Sequence, residues 1–107
     1  VALEQGKAGV AFSSGQAATT TALFALARPG TNFVVSRELF GGTFSVARKM
    51  LEPWGCTFIT VDPTAAAIDE AINDNTVGVW LETIANPSCT VPDIKAIADV
   101  SHNKGVP

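Results

Sequence analysis

Of the 107 residues, 47% are hydrophobic and only 16% are charged. That excludes a disordered chain and leaves little charge to clothe a free-standing domain of this size, so part of the surface is expected to be covered by oligomerisation or by more of a larger α/β domain. Net charge is −3 and the seven basic residues (Lys7, Arg28, Arg37, Arg48, Lys49, Lys95, Lys104) are scattered, which argues against nucleic acid as a partner, and no apolar run reaches membrane-spanning length.

In chain order, residues 9–12 form an apolar, strand-like run. A helix is expected over 15–27, with Ser14 as N-cap and Pro29-Gly30 as the stop. Ala18, Ala22, Ala25 and Leu26 fall on one face of it. Phe33-Val34-Val35 is a short, wholly apolar strand of the kind covered on both faces. The polar loop Arg37-Glu38-Leu39-Phe40-Gly41-Gly42-Thr43 follows, and Thr43 is expected to cap a helix running to Trp54. Phe44, Ala47, Met50, Leu51 and Trp54 follow helical spacing in that stretch, and Pro53 and Gly55 end it. A β-branched strand is expected over 57–61. Next comes a helix over 65–73, capped by Thr64, with Ile68 and Ile72 inward. The last clear strand spans 77–83. A loop over 84–91 leads to a final helix with Pro92 near its first position; Ile94, Ile97, Ala98 and Ser101 share one face and Gly105 caps its end.

Four strands thus alternate with four helices, without a hairpin signal. This predicts an α/β fold with a mostly parallel sheet flanked by helices, and no internal domain boundary. The chain opens on Val1 without an initiator Met and stops at Gly105-Val106-Pro107, where a helix has ended and a strand is due; it reads as a fragment. Cys56 and Cys89 stand alone, with no CxxC and with the single His102 remote in sequence, so no metal site is expected. Two free thiols suit a reducing cytosol.

In an open parallel sheet, ligands bind beyond the carboxyl ends of the strands. Four segments leave those ends, among the richest of the chain in polar and glycine residues: 13–16, 37–43, 62–64 and 82–87. The first is the most telling. Ser13-Ser14-Gly15-Gln16 opens a helix, where backbone N–H groups lack intrahelical partners and the helix dipole adds positive charge, so phosphate or carboxylate suits it. An ordinary capped helix uses the same residues. Neither GxxxxGK[ST] nor GxGxxG is present.

Three linked motifs go further. Ser13-Ser14-Gly15-Gln16-Ala17-Ala18, Leu39-Phe40-Gly41-Gly42-Thr43 and Leu81-Glu82-Thr83-Ile84-Ala85-Asn86-Pro87, in this order and spacing, resemble the Cys/Met-metabolism family of pyridoxal-phosphate (PLP) enzymes. Leu3-Glu4-Gln5-Gly6-Lys7-Ala8, Asp93-Ile94 and Gly105-Val106-Pro107 fit the same pattern. The resemblance implies the large domain of the aspartate-aminotransferase-like fold (fold type I), of which residues 1–107 are a part. It further implies PLP as cofactor, a small amino-acid substrate, a cytoplasmic location and a homotetramer built as a dimer of dimers.

Carried over residue by residue, the resemblance assigns the cofactor phosphate to the backbone N–H groups of Gly15 and Gln16. Phe40 would stack on the pyridine ring, where the family usually has Tyr; stacking survives that change, and the phenol does not. Asn86 would bond the cofactor's phenolic oxygen, and Glu82 would orient its neighbours. No catalytic residue falls in the chain. The Schiff-base lysine of the family lies in a Ser-x-Thr-Lys context that none of Lys7, Lys49, Lys95 and Lys104 has, and the aspartate for the pyridine nitrogen is expected on a strand after Pro107. Gln16 and Gly42 resemble the O-acetylhomoserine sulfhydrylase branch, which implies γ-replacement on an O-acylated homoserine by sulfide or a thiol. The alternatives are a γ- or β-lyase on the same scaffold and a truncated copy that serves only as a structural or partner-binding piece.

Overall fold

The computed structural model describes residues 1–4 and 6–107; Gln5, in the first motif stretch, lies outside the described residues. Three strands, β1 (Asn32–Ser36), β2 (Thr57–Val61) and β3 (Thr76–Trp80), form one parallel sheet in the order β2-β1-β3. The helices are α1 (Gly15–Leu26), α2 (Gly41–Val46, continued by a π-helical turn over Ala47–Leu51), α3 (Ala65–Ala71) and α4 (Ile94–Asn103). The α/β architecture with a parallel sheet and flanking helices is the expected one.

All five residues of β1 are buried, because it is central and both its faces are covered. Phe33 and Val35 point to a core shared with Leu23, Ala27, Leu39, Val46, Leu51 and Cys56, which places α1 and α2 on that face. Val34 points the other way, to Ile68 and Ile97 of α3 and α4. Full burial of each large side chain here contributes roughly 1.5–3 kcal/mol. A polar knot closes the amino end of the sheet. Asn32 Nδ2 donates to Asn73 Oδ1 (3.0 Å) and Thr76 Oγ1 donates to Asn32 Oδ1 (2.8 Å). The Asn73 amide bonds Thr76 Oγ1, and the Asn75 amide bonds Asn73 Oδ1. Each member is satisfied, as burial demands, and the β1–β3 register shifts at this point, between Asn32 and Phe33.

Several expected boundaries move. Residues 9–12 are not a strand: they pair with nothing in the sheet, and Val10 and Phe12 stay exposed. A strand exists only through a neighbour's ladder, and this run pairs with none of β1 to β3. The second helix begins at Gly41, with Phe40 in the cap position, so Thr43 is a buried helical residue rather than a cap. It ends at Leu51, leaving Met50 and Trp54 about half-exposed. In α1 the buried position is Leu23, joined by Ala27 at the C-cap, while Ala22, Ala25 and Leu26 are exposed. Its polar residues, Gln16 and Thr19 to Thr21, are spread among apolar ones around the helix, so its periodicity selects no face. Helix α4 starts after Asp93, whose carboxylate accepts from the Ala96 amide (3.0 Å), and Pro92 precedes the cap. Helix α3 stops two residues early and β3 ends at Trp80. The caps at Ser14, Thr64 and Gly105 (φ +72°) stand as expected.

Candidate functional site

The corner before α1 is built by Ser14. Its extended backbone turns the chain into the helix, and its Oγ accepts from the Ala17 amide (3.1 Å) while its carbonyl accepts from Ala18 (3.1 Å). That leaves the amides of Gly15 and Gln16 without a protein acceptor among the described residues. The first turn contains no acidic side chain, so the positive end of the dipole is unopposed. Gly15 and Gln16 are both exposed, and a Cβ added at Gly15 would meet nothing within 4 Å.

The loop after β1 comes next. Leu39 is buried and anchors it, which turns Phe40 outward with half its surface exposed. The Phe40 amide donates to Glu82 Oε1, beyond the end of β3, at 2.7 Å. Gln16 Nε2 donates to the Gly42 carbonyl at 3.1 Å, which joins the α1 corner to this loop. The Phe40 ring leans over Gly42, where an added Cβ would fall 2.6 Å from Phe40 Cε1 and 3.1 Å from Gln16 Oε1.

The third segment follows β3. It contains a cis Asn86-Pro87 bond and Cys89 at φ +59°, and it folds back through bonds from the Ala85 amide to the Thr90 carbonyl and from the Cys89 amide to the Ala85 carbonyl (both 2.9 Å). The Ser88 hydroxyl donates to Glu38 Oε2 at 2.7 Å. Hydrogen bonds from Ser88, and then Thr90, hold the Glu38 carboxyl below its ordinary pKa. Arg37 Nε pairs with Asp62 Oδ1 at 2.7 Å, which brings in the segment after β2. The three strand-end segments and the corner at 13–16, which follows no strand, therefore converge through direct bonds.

Of the residues singled out from sequence, Gln16, Phe40 and Glu82 belong to one bonded cluster, with Gly15 adjoining it. Asn86 is exposed and its side chain makes no hydrogen bond among the described residues; it reaches the cluster only through its neighbour Ser88. Sequence reasoning missed Glu38 and Ser88, whose pairing spans 50 positions and leaves no spacing signal. A cavity of about 600 Å³ opens beside the cluster, lined by Glu38, Asp62, Thr64, Thr90 and Asp93 among others, and not by Gly15, Gln16, Phe40 or Asn86. Among the described residues no group of three His, Cys, Asp or Glu side chains is placed to hold a metal ion.

This donor set fits a flat, phosphate-bearing cofactor. It offers two free amides at a helix N-terminus, a half-exposed aromatic ring tied to the same corner, and an uncommitted side-chain amide. Two of the four lysines are engaged elsewhere: Lys95 Nζ pairs with Asp99 at 2.6 Å and Lys104 Nζ with Asp69 at 2.7 Å.

Comparison with known proteins agrees. A family model described as Cys/Met metabolism PLP-dependent enzyme matches residues 1–107. Homocysteine synthase of Schizosaccharomyces pombe is 44% identical over 111 residues, covering 99% of this chain and 25% of that protein. Among solved structures, O-acetylhomoserine sulfhydrylase of Wolinella succinogenes superposes with a TM-score of 0.83 at 40% identity, over 88% of this chain and 27% of that one. Cystathionine γ-lyase of Lactobacillus plantarum, complexed with L-serine, superposes with a TM-score of 0.89 at 37% identity, over 98% and 28%. The chain spans about a quarter of the length of the curated relatives it matches. With its parallel α/β fold and the converging strand-end loops, the chain belongs to the Cys/Met metabolism family of PLP-dependent enzymes.

Proposed function

We propose that this chain is the cofactor-cradling part of the large domain of a longer enzyme that performs γ-replacement: an O-acylated homoserine and sulfide or a thiol give homocysteine or a thioether, with the carboxylic acid leaving. The observation that carries the reading is the bonded corner in which the free Gly15 and Gln16 amides meet the loop bearing the Phe40 ring. The identity to a homocysteine synthase supports replacement over other reactions of the family.

Bound there, PLP supplies an electron-withdrawing ring that takes up charge developing on the substrate carbons. The chain's own residues do the holding. The Gly15 and Gln16 amides grip the phosphate. Phe40 covers one ring face and keeps water from it. Asn86 donates to the phenolic oxygen, and Glu82 fixes the backbone of Phe40. Phe40 has no hydroxyl, so it moves no proton at that position; a group elsewhere in the longer protein does. The assembly we propose is a cytoplasmic dimer of dimers; no described helix is long and apolar enough to cross a membrane.

The test is an assay of the full-length protein with O-acetylhomoserine and sulfide. Homocysteine and acetate are the expected products. Release of an α-keto acid and ammonia instead would move the protein to the lyase reading, which the likeness to cystathionine γ-lyase keeps in contention. Absence of both products would favour a non-catalytic copy.

A further inference from the structure

We propose that Glu38 and Glu82 are positioning residues that clasp two loops of the cofactor site, and so preset the Phe40 ring and the Asn86 amide. This rests on the cofactor reading above. Two bonds cross between the same two stretches of chain in opposite senses. The Phe40 amide, on the loop after β1, donates to Glu82 Oε1 beyond β3 at 2.7 Å. The Ser88 hydroxyl, on the loop beyond β3, donates to Glu38 Oε2 on the loop after β1, also at 2.7 Å. Each stretch gives one carboxylate and takes one donor. A carboxylate acceptor makes each bond short and stronger than a neutral pair.

Neither carboxylate is spent on an ion pair among the described residues. Arg37, next to Glu38, goes to Asp62 instead. The site residues lie immediately beside the clasp: Phe40 is itself a donor in it, and Asn86 is two positions from Ser88. On its far side the ring-bearing loop is tied to α1 through Gln16 and Gly42. The Phe40 backbone is thus pinned from one direction, and the ring has Gly42 beneath it and one open face. Ordering these loops before the cofactor arrives spares it that entropic cost on binding.

The experiment uses the full-length protein with PLP and reads three quantities: the dissociation constant, the visible circular dichroism that the site induces in the bound cofactor, and amide exchange at Phe40. Glu82→Ala is expected to weaken PLP binding about tenfold, shrink the induced signal and speed Phe40 exchange, the size of effect set by one charge-assisted bond. Glu82→Gln keeps an acceptor and is expected to restore most of it. Glu38→Ala should behave like Glu82→Ala, and the double variant should lose less than the product of the two, as partners in one clasp do. Wild-type affinity and signal in Glu82→Ala, or a double variant whose loss equals the product, would overturn the clasp.

Gly42→Ala guards against a general folding defect. Its Cβ displaces the Phe40 ring while leaving the Phe40 amide bonded, so the induced signal should fall with Phe40 exchange unchanged; an unchanged signal counts against the proposal. A wild-type protein that binds no PLP overturns the cofactor reading and the clasp with it. A wild-type protein that binds PLP beside indifferent variants overturns the clasp alone.

Discussion

Two glycines show how one clash can have opposite outcomes. An added Cβ at Gly78 would lie 2.8 Å from Phe33 Cε1, and at Gly42 it would lie 2.6 Å from Phe40 Cε1. Phe33 is fully buried and stacked on Phe58 at 5.5 Å, so it cannot retreat. Gly78→Ala is expected to destabilise the fold by about 1–3 kcal/mol. Phe40 is half-exposed and can swing, and Gly42 lies in a helix, where Ala is favoured. Gly42→Ala should therefore leave stability unchanged or raise it by up to about 1 kcal/mol. Urea denaturation of both variants separates the two cases. Glu38 supplies the pH dependence at this scale. Its folded-state pKa lies below its ordinary value because Ser88 and Thr90 bond the charged form. The contribution is fully present above the ordinary value of 4.5 and is lost as pH falls through the lowered folded value. An NMR titration of the Glu38 carboxyl should show a midpoint below 4.5 that rises in Ser88→Ala, with Thr90 and Arg37 still holding it down.

At the scale of elements, the helix starts were legible where a hydroxyl performs the capping; the Asp93 carboxylate caps α4 as well, but Pro92 drew the expected start too early. Ser14 and Thr64 mark α1 and α3 because their hydroxyls bond the third amide onward. Ser14→Ala should cost about 1 kcal/mol and lower the thermal midpoint by roughly 4–8 °C, read by circular dichroism. The start of α2 was not legible, since Phe40 holds the cap position with no side-chain bond; its neighbour across the chain, Glu82, takes the Phe40 amide instead. Residues 9–12 carry a strand pattern without a strand because pairing is a property of two segments, and a single run records only its own half. Facing in α1 was illegible for a different reason: polar and apolar side chains mixed around its circumference leave tertiary packing to choose Leu23 and Ala27. That at least three of the four loop segments converge was legible from topology alone. The bonds that join them, spanning 26, 42 and 50 positions, were not.

The molecule as a whole is a three-layer stack, with α1 and α2 on one face of the sheet and α3 and α4 on the other. The cradle needs only this stack, whereas covalent capture of the cofactor needs a lysine amine that can shed its proton. Asp99 holds the Lys95 ammonium above its ordinary pKa, and Lys104 is paired with Asp69. None of the four lysines, Lys7 and Lys49 included, has the Ser-x-Thr-Lys context that the resemblance calls for, so the 107-residue chain given PLP and then borohydride should show no adduct fixed on one defined lysine. Peptide mapping by mass spectrometry checks this, and a single stoichiometric site would contradict it.

The Asn32–Asn73–Thr76 knot bears on how such a scaffold can diversify. Parallel neighbours rich in valine are free to slide past one another by a step, and that slippage would scramble every loop above. Interlocked amides and a hydroxyl at the foot of the sheet act as a keyed stop, remote from the loops where chemistry happens. Residues at the opposite rim, Phe40 among them, can then be exchanged without endangering the threading of the chain.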